Sequence, residues 1–464
     1  MQNENENRGI ANFLEIIILL APLPFGCVGR VFSPLFLMLL LVLSFIALGQ
    51  PGGPVRFLAK KKIRFVFIAF LCFLGLQLLP LPSFLLKLVS PSTANYISQF
   101  TLTGQSTGFH PISLVPFETL GFGFRFLVYA LLFLALLHVP FKKNEMISIL
   151  KILIFSAVLQ VLLGLFKYLH GNKYFFLFFH ELKESDSLVK YLTGTLGNPN
   201  HFAFYLEMVL PIFLALLFLK LQFLEGGKSL REKIIAAVDK NKLLLLYAAV
   251  PVLLGTGIIL TGSRAGIITM VLSFLIFAQL AVYLKQVKSI RKNLAFFFIV
   301  ITAAALFIGI QTTVKKFLST SFESSGRFLR WPATLAMSKD FPVFGAGFGT
   351  YRYSYFLYDP DEAGNWSTHA HNDYLEIVAE GGIIGSILFF LLIGMVIYSI
   401  IRMWWARGHP EIKVLGIGII TSLFAVVFHS FFDFSLRIPA NMFIFVLVLA
   451  LGIKLVTYKR EFKE

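Results

Sequence analysis

Two histidines and three carboxylates crowd one short stretch of the sequence, STHAHNDYLEIVAEGGIIG, just before an apolar run. A histidine such as His371 has a reference pKa of about 6.5, so near pH 7 it is largely neutral and can accept a proton from a hydroxyl. The carboxylates recur at spacings of three and four residues and would share one helix face: Asp373, Glu376 and Glu380. The stretch therefore predicts a general base at the start of a helix, with His369 in the preceding loop. The alternative is that His371 only caps the helix or contacts lipid headgroups.

Several arginines could bind an anion. Arg264 lies in the turn LTGSRAG between two apolar runs, where an arginine near lipid is costly unless it has a partner or a function. A guanidinium binds phosphate through two parallel charge-assisted hydrogen bonds. Arg327 and Arg330 lie three residues apart and would share a helix face, and Arg437 follows Asp433 by four residues. The alternatives are contacts with lipid headgroups for the first three arginines and neutralisation by Asp433 for Arg437.

Other polar groups predict structure rather than chemistry. The glycine run at 345–349 imitates a dinucleotide fingerprint but lacks the strand–turn–helix context, so it predicts a flexible or closely packed loop. The acidic run DPDE at 359–362 has no further ligand at a familiar spacing, so it predicts a solvated turn and no metal site. His429 is expected in the core. Glu207 lies about two turns into an apolar run and needs a buried partner that the sequence does not identify.

The elements that must position these groups are membrane helices. Hydrophobic residues make up 57% of the 464 positions and charged residues only 14%, and the mean hydropathy is +0.80. This composition predicts an all-α polytopic membrane protein with a single integral membrane domain, 1–464. About twelve apolar runs are long enough to cross a bilayer. They lie near 12–29, 31–49, 63–81, 117–139, 146–168, 201–223, 243–261, 264–284, 294–312, 374–401, 414–434 and 438–458.

The distribution of charge orients these spans. The formal charge of +17 would suggest nucleic acid in a soluble protein, but here the basic residues gather in short loops that fall on one side if the spans alternate. The positive-inside rule makes that side cytoplasmic and places both termini inside. Because topology accounts for the basic residues, no nucleic-acid partner is expected. A long periplasmic segment, 313–373, then separates the ninth and tenth spans, and His371 and Arg264 lie at the outer face.

The motifs resemble those of a known family. HNDYLEIVAEGGIIG resembles the His-Asn signature, followed by a spacer and glycines, of the O-antigen ligase and O-antigen polymerase superfamily. GTLGNPNHFAFYLEMVLP, LTGSRAG and GRFLRWPATLAMSKDFPVFGAGFGTY are similar to the family's other blocks and occur in the family's order. The resemblance extends from about LAPLPFG to the last span and so covers nearly the whole chain.

The resemblance implies a metal-independent, cofactor-free glycosyltransferase of the GT-C type in the bacterial inner membrane, among membrane lipids. Its donor would be an undecaprenyl-diphosphate-linked glycan, used at the periplasmic face. The matching positions make His371 the general base and Arg264 a diphosphate ligand, while Arg327, Arg330 and Arg437 match more loosely. His369 is expected to contact the acceptor.

The acceptor stays open at this point. A ligase uses lipid A–core, a polymerase uses a second lipid-linked glycan, and related protein O-glycosyltransferases use a Ser or Thr. We expect a ligase, with a polymerase as the alternative. A lipid-linked glycan transporter is an alternative of another class, but it would be expected to show matched halves and charged groups near the membrane midplane.

Overall fold

A computed structural model gives the fold. It describes residues 2–52, 60–100, 108–170, 191–222, 242–283, 290–308, 314, 326–358 and 368–458. Within these ranges the chain is almost entirely helical, and one antiparallel pair of two-residue strands, β1 (Leu81–Pro82) and β2 (Phe109–His110), is present. The predicted all-α polytopic class is therefore confirmed at the level of secondary structure.

A helix occupies each of the predicted apolar runs. In chain order these helices are α1 (Gln2–Leu20), α2 (Phe32–Gly49), α3 (Lys61–Leu78), α6 (Pro116–His138), α7 (Lys143–Leu169), α8 (Pro199–Gln222), α9 (Lys242–Leu260), α10 (Arg264–Tyr283), α11 (Ile290–Ile308), α14 (Asp373–Trp405), α15 (Pro410–His429) and α16 (Pro439–Thr457). Shorter helices lie between them: α4 (Ser83–Val89), α5 (Pro91–Phe100), α12 (Gly326–Asp340) and α13 (Tyr351–Ser354).

Eight of the helices in the described ranges are long and apolar enough to cross a membrane. They are α2, α6, α7, α8, α10, α14, α15 and α16. The described helices at the other four runs, α1, α3, α9 and α11, do not meet that criterion, and α1 and α3 begin with polar or basic residues. The chain is thus a multi-pass membrane protein, and the count of about twelve spans stays a prediction.

The centre of the bundle is formed by α8, α15 and α16. Of the most apolar part of each helix, 89%, 78% and 83% respectively is buried inside the protein, whereas only 28% to 50% is buried in the other spans. Helix α8 packs against α15 along its length and also contacts α10. The start of α8, the end of α15 and the start of α16 therefore meet in the interior, where a polar side chain is shielded from lipid.

Helix α14 is broken near its start, and the break is held by the glycine run. Gly382 adopts φ 58°, which interrupts the helix about two and a half turns after Asp373. The Ile383 amide donates to Pro342 O at 2.8 Å, and the Gly347 amide donates to Glu380 O at 3.0 Å, so the loop satisfies backbone groups that the break exposes. A Cβ at Gly345 would lie 2.1 Å from Glu380 O, so only glycine fits there. Of the two predictions for the glycine run, close packing is the one confirmed.

The long segment between α11 and α14 is described in part. Helix α12 forms where Arg327 and Arg330 were expected to share a helix face, and it packs against α14. The side chain of Arg327 and the acidic run at 359–362 lie outside the described residues. The predicted periplasmic placement of 313–373 stays a prediction.

Candidate functional site

The loop before α14 fixes the position of His371. The Asn372 side chain accepts hydrogen bonds from the amides of Tyr374 and Leu375, at 3.0 and 3.1 Å, and so caps the helix. The Asp373 amide donates to Ser430 O at 2.9 Å, which ties the start of α14 to the end of α15. His371 itself adopts φ 50°, a left-handed conformation that is uncommon for a residue other than glycine. Such conformations persist where the surroundings over-determine them, often at functional sites.

His371 forms a hydrogen-bonded pair with Asp433. Its Nδ1 lies 3.0 Å from Asp433 Oδ1, and the carboxylate is fully buried whereas 21% of the histidine side chain is exposed. An ionised carboxylate only accepts hydrogen bonds, so this contact places the proton on Nδ1 and leaves Nε2 of the neutral ring as an acceptor. Ser435 donates to the other carboxylate oxygen at 2.8 Å. The pair is therefore a base with an orienting carboxylate behind it.

Two further side chains from different elements complete this cluster. His201, at the start of α8, has Nε2 at 3.6 Å from Asp433 Oδ2, which is an electrostatic contact rather than a hydrogen bond. The ring of Phe434 lies among the histidines. Its centroid is 4.1 Å from that of His369 and 4.8 Å from that of His371. The aromatic ring packs against these two histidines, and both stay partly exposed whereas His201 is buried.

A second polar cluster, centred on Arg437, joins the start of α14 to the segment before α16. Arg437 Nη2 lies 2.8 Å from Glu380 Oε2 and 3.3 Å from Glu376 Oε1. Burial disfavours the guanidinium charge, but the two carboxylates outweigh this cost and raise the pKa of Arg437 above its ordinary value. Glu376 also lies 2.9 Å from His369 Nδ1. Both carboxylates predicted to share a helix face with Asp373 therefore point into the site.

This cluster rules out the alternative that Arg437 is neutralised by Asp433. A spacing of four residues would place the two side chains together on a regular α-helix. The chain between them instead forms a 3₁₀ turn, Ser435–Arg437. Asp433 therefore reaches His371, while Arg437 reaches the carboxylates of α14. The spacing rule failed because it assumes continuous α-helix.

The buried partner of Glu207 is His429. Nδ1 of His429 lies 2.9 Å from Glu207 Oε2, and both side chains are at most 1% exposed. The position of His429 in the core is confirmed. The pair joins α8 to α15, which carry His201 and lead into Asp433. We interpret it as an internal brace that fixes these two helices relative to each other.

The remaining predicted ligands lie at the edges of this arrangement. Arg264 begins α10, where a Cβ at Gly266 would lie 2.9 Å from Glu207 Oε1, so this end of α10 lies against α8. Arg330 lies on α12, one turn before Thr334, whose hydroxyl is 2.7 Å from that of Tyr351. The amide of Tyr351 in turn donates to Glu380 Oε1 at 3.0 Å. The structure thus brings His369, His371 and Arg437 together. The backbone carbonyl of Arg330 is joined to this group through Thr334, Tyr351 and Glu380.

Comparison with known protein families gives a match to part of the chain. A family model described as O-antigen ligase matches residues 249–390. The chain carries an O-antigen ligase domain. This match confirms the superfamily predicted from the motifs, whose members are glycosyltransferase-like enzymes. Among curated proteins, none matches the chain.

The matched region holds only part of the site. Arg264, Arg330, His369 and His371 lie within the O-antigen ligase domain at 249–390, whereas Asp433 lies beyond it. His201 and Arg437 also lie outside the matched range. The domain therefore supplies His369 and His371. The segments before and after it in the sequence supply His201, Asp433 and Arg437, which surround them.

Sequence reasoning missed His201 as a member of the site and gave Asp433 no role toward His371. The sequence contains a signal for each of these residues. His201 follows the turn GNPN at the start of a span, and Asp433 is a carboxylate in an apolar run. An ionisable group in such a position is functional by default. What no spacing indicated is that both lie beside His371.

Proposed function

We propose that the protein transfers a glycan from an undecaprenyl-diphosphate carrier to an acceptor hydroxyl, and that the preferred acceptor is lipid A–core. The observation that carries the proposal is the His371–Asp433 pair in a chain with an O-antigen ligase domain. His371 Nε2 accepts the proton of the acceptor hydroxyl, and the oxygen attacks the anomeric carbon of the donor sugar. The bond from that carbon to the diphosphate oxygen breaks, and the diphosphate leaves with the electron pair.

The arginines are proposed to bind that leaving group. As the bond breaks, negative charge grows on the diphosphate, and guanidinium groups already in place stabilise it. Arg264 and Arg437 are the principal candidates, with Arg327 and Arg330 on α12 as further contacts. Asp433 holds the imidazole of His371 in the correct tautomer and stabilises the imidazolium that forms. His369, which is 28% exposed, is proposed to contact the acceptor.

A transfer assay with two acceptors tests this function. Purified protein is given a lipid-linked glycan donor and either lipid A–core or a second copy of the lipid-linked glycan. We expect product from lipid A–core. Product only from the second lipid-linked glycan would make the protein a polymerase, and carriage of the donor across a vesicle membrane without transfer would make it a transporter.

The orientation of the chain is a second test. We propose an inner-membrane location with both termini in the cytoplasm and the site facing the periplasm, because the basic loops fall on one side. A reporter active only in the cytoplasm should be active when fused after Lys292 or at the C-terminus and silent when fused near Asp361. The reverse pattern would place the site where lipid-linked donors are not presented.

Transfer is also expected to be independent of metal. The arginines and His371 supply the charge stabilisation and the proton transfer that a metal ion would otherwise provide. Turnover by purified protein should be unchanged in excess EDTA. A loss that Mg²⁺ or Mn²⁺ restores would contradict this mechanism and draw attention to the acidic run at 359–362.

Replacing Arg264 by lysine is expected to be nearly as damaging as replacing it by alanine. A bidentate contact with the diphosphate requires the planar fork of the guanidinium, which the ammonium of lysine lacks. Turnover and donor KM of the two variants should be compared at matched expression. A lysine variant with near-normal KM and turnover would reduce Arg264 to a general positive charge.

A further inference from the structure

One arginine inside a membrane span has no role in the mechanism above. Arg125 lies on α6, within the candidate span Pro116–His138, and is half-buried. No hydrogen bond or ion pair joins its side chain to any residue that the structure describes. An arginine at membrane depth is costly, and it is retained where it has a partner or binds a substrate.

The position of Arg125 on α6 shows that it faces the protein interior. The lipid-facing stripe of this helix is marked by four large exposed side chains: Phe117, Leu120, Phe124 and Leu127. Arg125 instead shares a face with Phe122 and Tyr129, at helical spacings of three and four residues. Tyr129 is buried, and its hydroxyl donates to Pro439 O at 3.1 Å. Snorkelling into lipid therefore does not account for Arg125.

The same face of α6 is directed at the candidate active site. The Arg437 guanidinium lies over the ring of Phe122, 5.8 Å from its centroid. Arg125 is thus flanked, one turn on either side, by residues that contact the segment 437–439. Its guanidinium extends back toward the start of α6, since a Cβ at Gly121 would lie 3.5 Å from Arg125 Nη1. That direction leads toward the site.

The side-chain hydrogen bonds around Arg125 and Arg437 leave donors that an anion could accept. Arg437, Glu118 and Glu380 lie within electrostatic range of it. The carboxylates already accept hydrogen bonds from other donors: Glu380 from Arg437 and Tyr351, and Glu118 from Tyr353. Arg437 contacts its carboxylates through Nη2, and no hydrogen bond joins its Nε or Nη1 to another described residue. Arg125 and Arg437 therefore both keep side-chain N–H groups that donate to no described residue, although Glu376 and Glu380 pair with Nη2 of Arg437.

We propose that Arg125 and Arg437 together bind a phosphate group of the substrate, and that this group is the diphosphate of the lipid-linked donor. The proposal rests on the proposed function and adds Arg125, which lies outside the O-antigen ligase domain, to the residues that hold the donor. A diphosphate carries several negative charges and many acceptor oxygens, so it accepts hydrogen bonds from the guanidinium N–H groups that the carboxylates leave unused. The phosphate of an anionic lipid headgroup has the same chemistry and is distinguished by experiment.

Binding of undecaprenyl diphosphate to the full-length protein tests the proposal without requiring turnover. The protein is placed in nanodiscs of phosphatidylcholine, and the affinity is measured from the ligand-induced rise in unfolding temperature. Arg125→Gln should weaken binding of undecaprenyl diphosphate by about tenfold or more. Undecaprenyl monophosphate should be affected less than the diphosphate. Tyr129→Phe, on the same face of α6, is the matched control and should bind normally.

Several results would overturn the proposal. Unchanged affinity for undecaprenyl diphosphate in Arg125→Gln would remove Arg125 from the donor site. If Arg125→Gln lost only the binding of phosphatidylglycerol, Arg125 would be a contact for lipid headgroups and not for the donor. If the double variant Arg125→Gln, Glu118→Gln regained affinity, the role of Arg125 would be to neutralise the charge of Glu118. A wild-type protein that binds the diphosphate but transfers no glycan would instead contradict the proposed function.

Discussion

Replacing His371 by alanine is expected to lower the turnover of glycan transfer by about a hundred- to ten-thousand-fold, the usual contribution of a positioned proton acceptor. The side chain has an orienting carboxylate on Nδ1, and its remaining nitrogen is the one able to take the acceptor proton. Donor affinity and unfolding temperature should stay close to those of the wild type, because the arginines and the cap at Asn372 remain. Turnover and donor binding are measured separately on purified protein.

His369→Ala is the internal control for this prediction. His369 lies two residues earlier and is also paired with a carboxylate, Glu376, so the substitution removes the same chemical group from the same loop. Its expected loss of turnover is smaller, with a raised KM for the acceptor, because Glu376 retains Arg437. A fully active His371→Ala, or one that fails only because donor no longer binds, would remove His371 from the role of base. Positioning by the arginines would then be the main source of catalysis.

Asp433→Asn is expected to have the second-largest effect, a loss of turnover of about a thousandfold or more. An amide has nearly the same shape as the carboxylate, but it does not stabilise the imidazolium that forms as His371 takes a proton. It also allows the wrong tautomer of the ring, and the corresponding change in a serine protease costs about ten-thousand-fold. The decrease should appear in kcat rather than in donor KM, because Asp433 is fully buried behind His371.

Two further variants separate a catalytic pair from a structural contact. Ser435→Ala removes a hydrogen bond to the same carboxylate and leaves the charge in place, so its effect should be much smaller. The double variant His371→Ala, Asp433→Asn should be little slower than His371→Ala alone, since groups that act as a unit give non-additive losses. Losses that multiply would show that Asp433 acts independently of His371, for example through His201.

Both polar clusters depend on the first helical segment of α14, which ends at the break. Gly382 ends the first helical segment, so Glu380 and Glu376 lie on a short helix whose last carbonyls are held by the glycine run. That short helix delivers carboxylates to Arg437, while the loop before it delivers His371 to Asp433. The start of α14 thus holds both His371 and the carboxylates that bind Arg437, as the proposed transfer from a diphosphate donor requires.

The sequence by itself determined the class of protein and the groups that could react. Apolar runs of membrane length fix an all-α polytopic fold, because only helices or closed barrels satisfy backbone polar groups in lipid. The sequence also predicts the start of α14, because Asn372 precedes acidic residues and an apolar run. The histidine signature was enough to predict the superfamily that the match at 249–390 confirms. All of these are local patterns, and local patterns are what a sequence displays directly.

Only the tertiary structure decided which groups meet. His371 and Asp433 are separated by 62 positions, and Glu207 and His429 by 222, so their pairing depends on how α8, α14 and α15 pack. No helical periodicity extends across separate helices. The 3₁₀ turn before α16 directed Arg437 to Glu380 rather than to Asp433, because it replaces the regular helix that spacing rules assume. The proposal for Arg125 depends on the fold in the same way, since in the sequence it is one basic residue in an apolar run and in the fold it shares a helix face with Phe122, whose ring contacts Arg437.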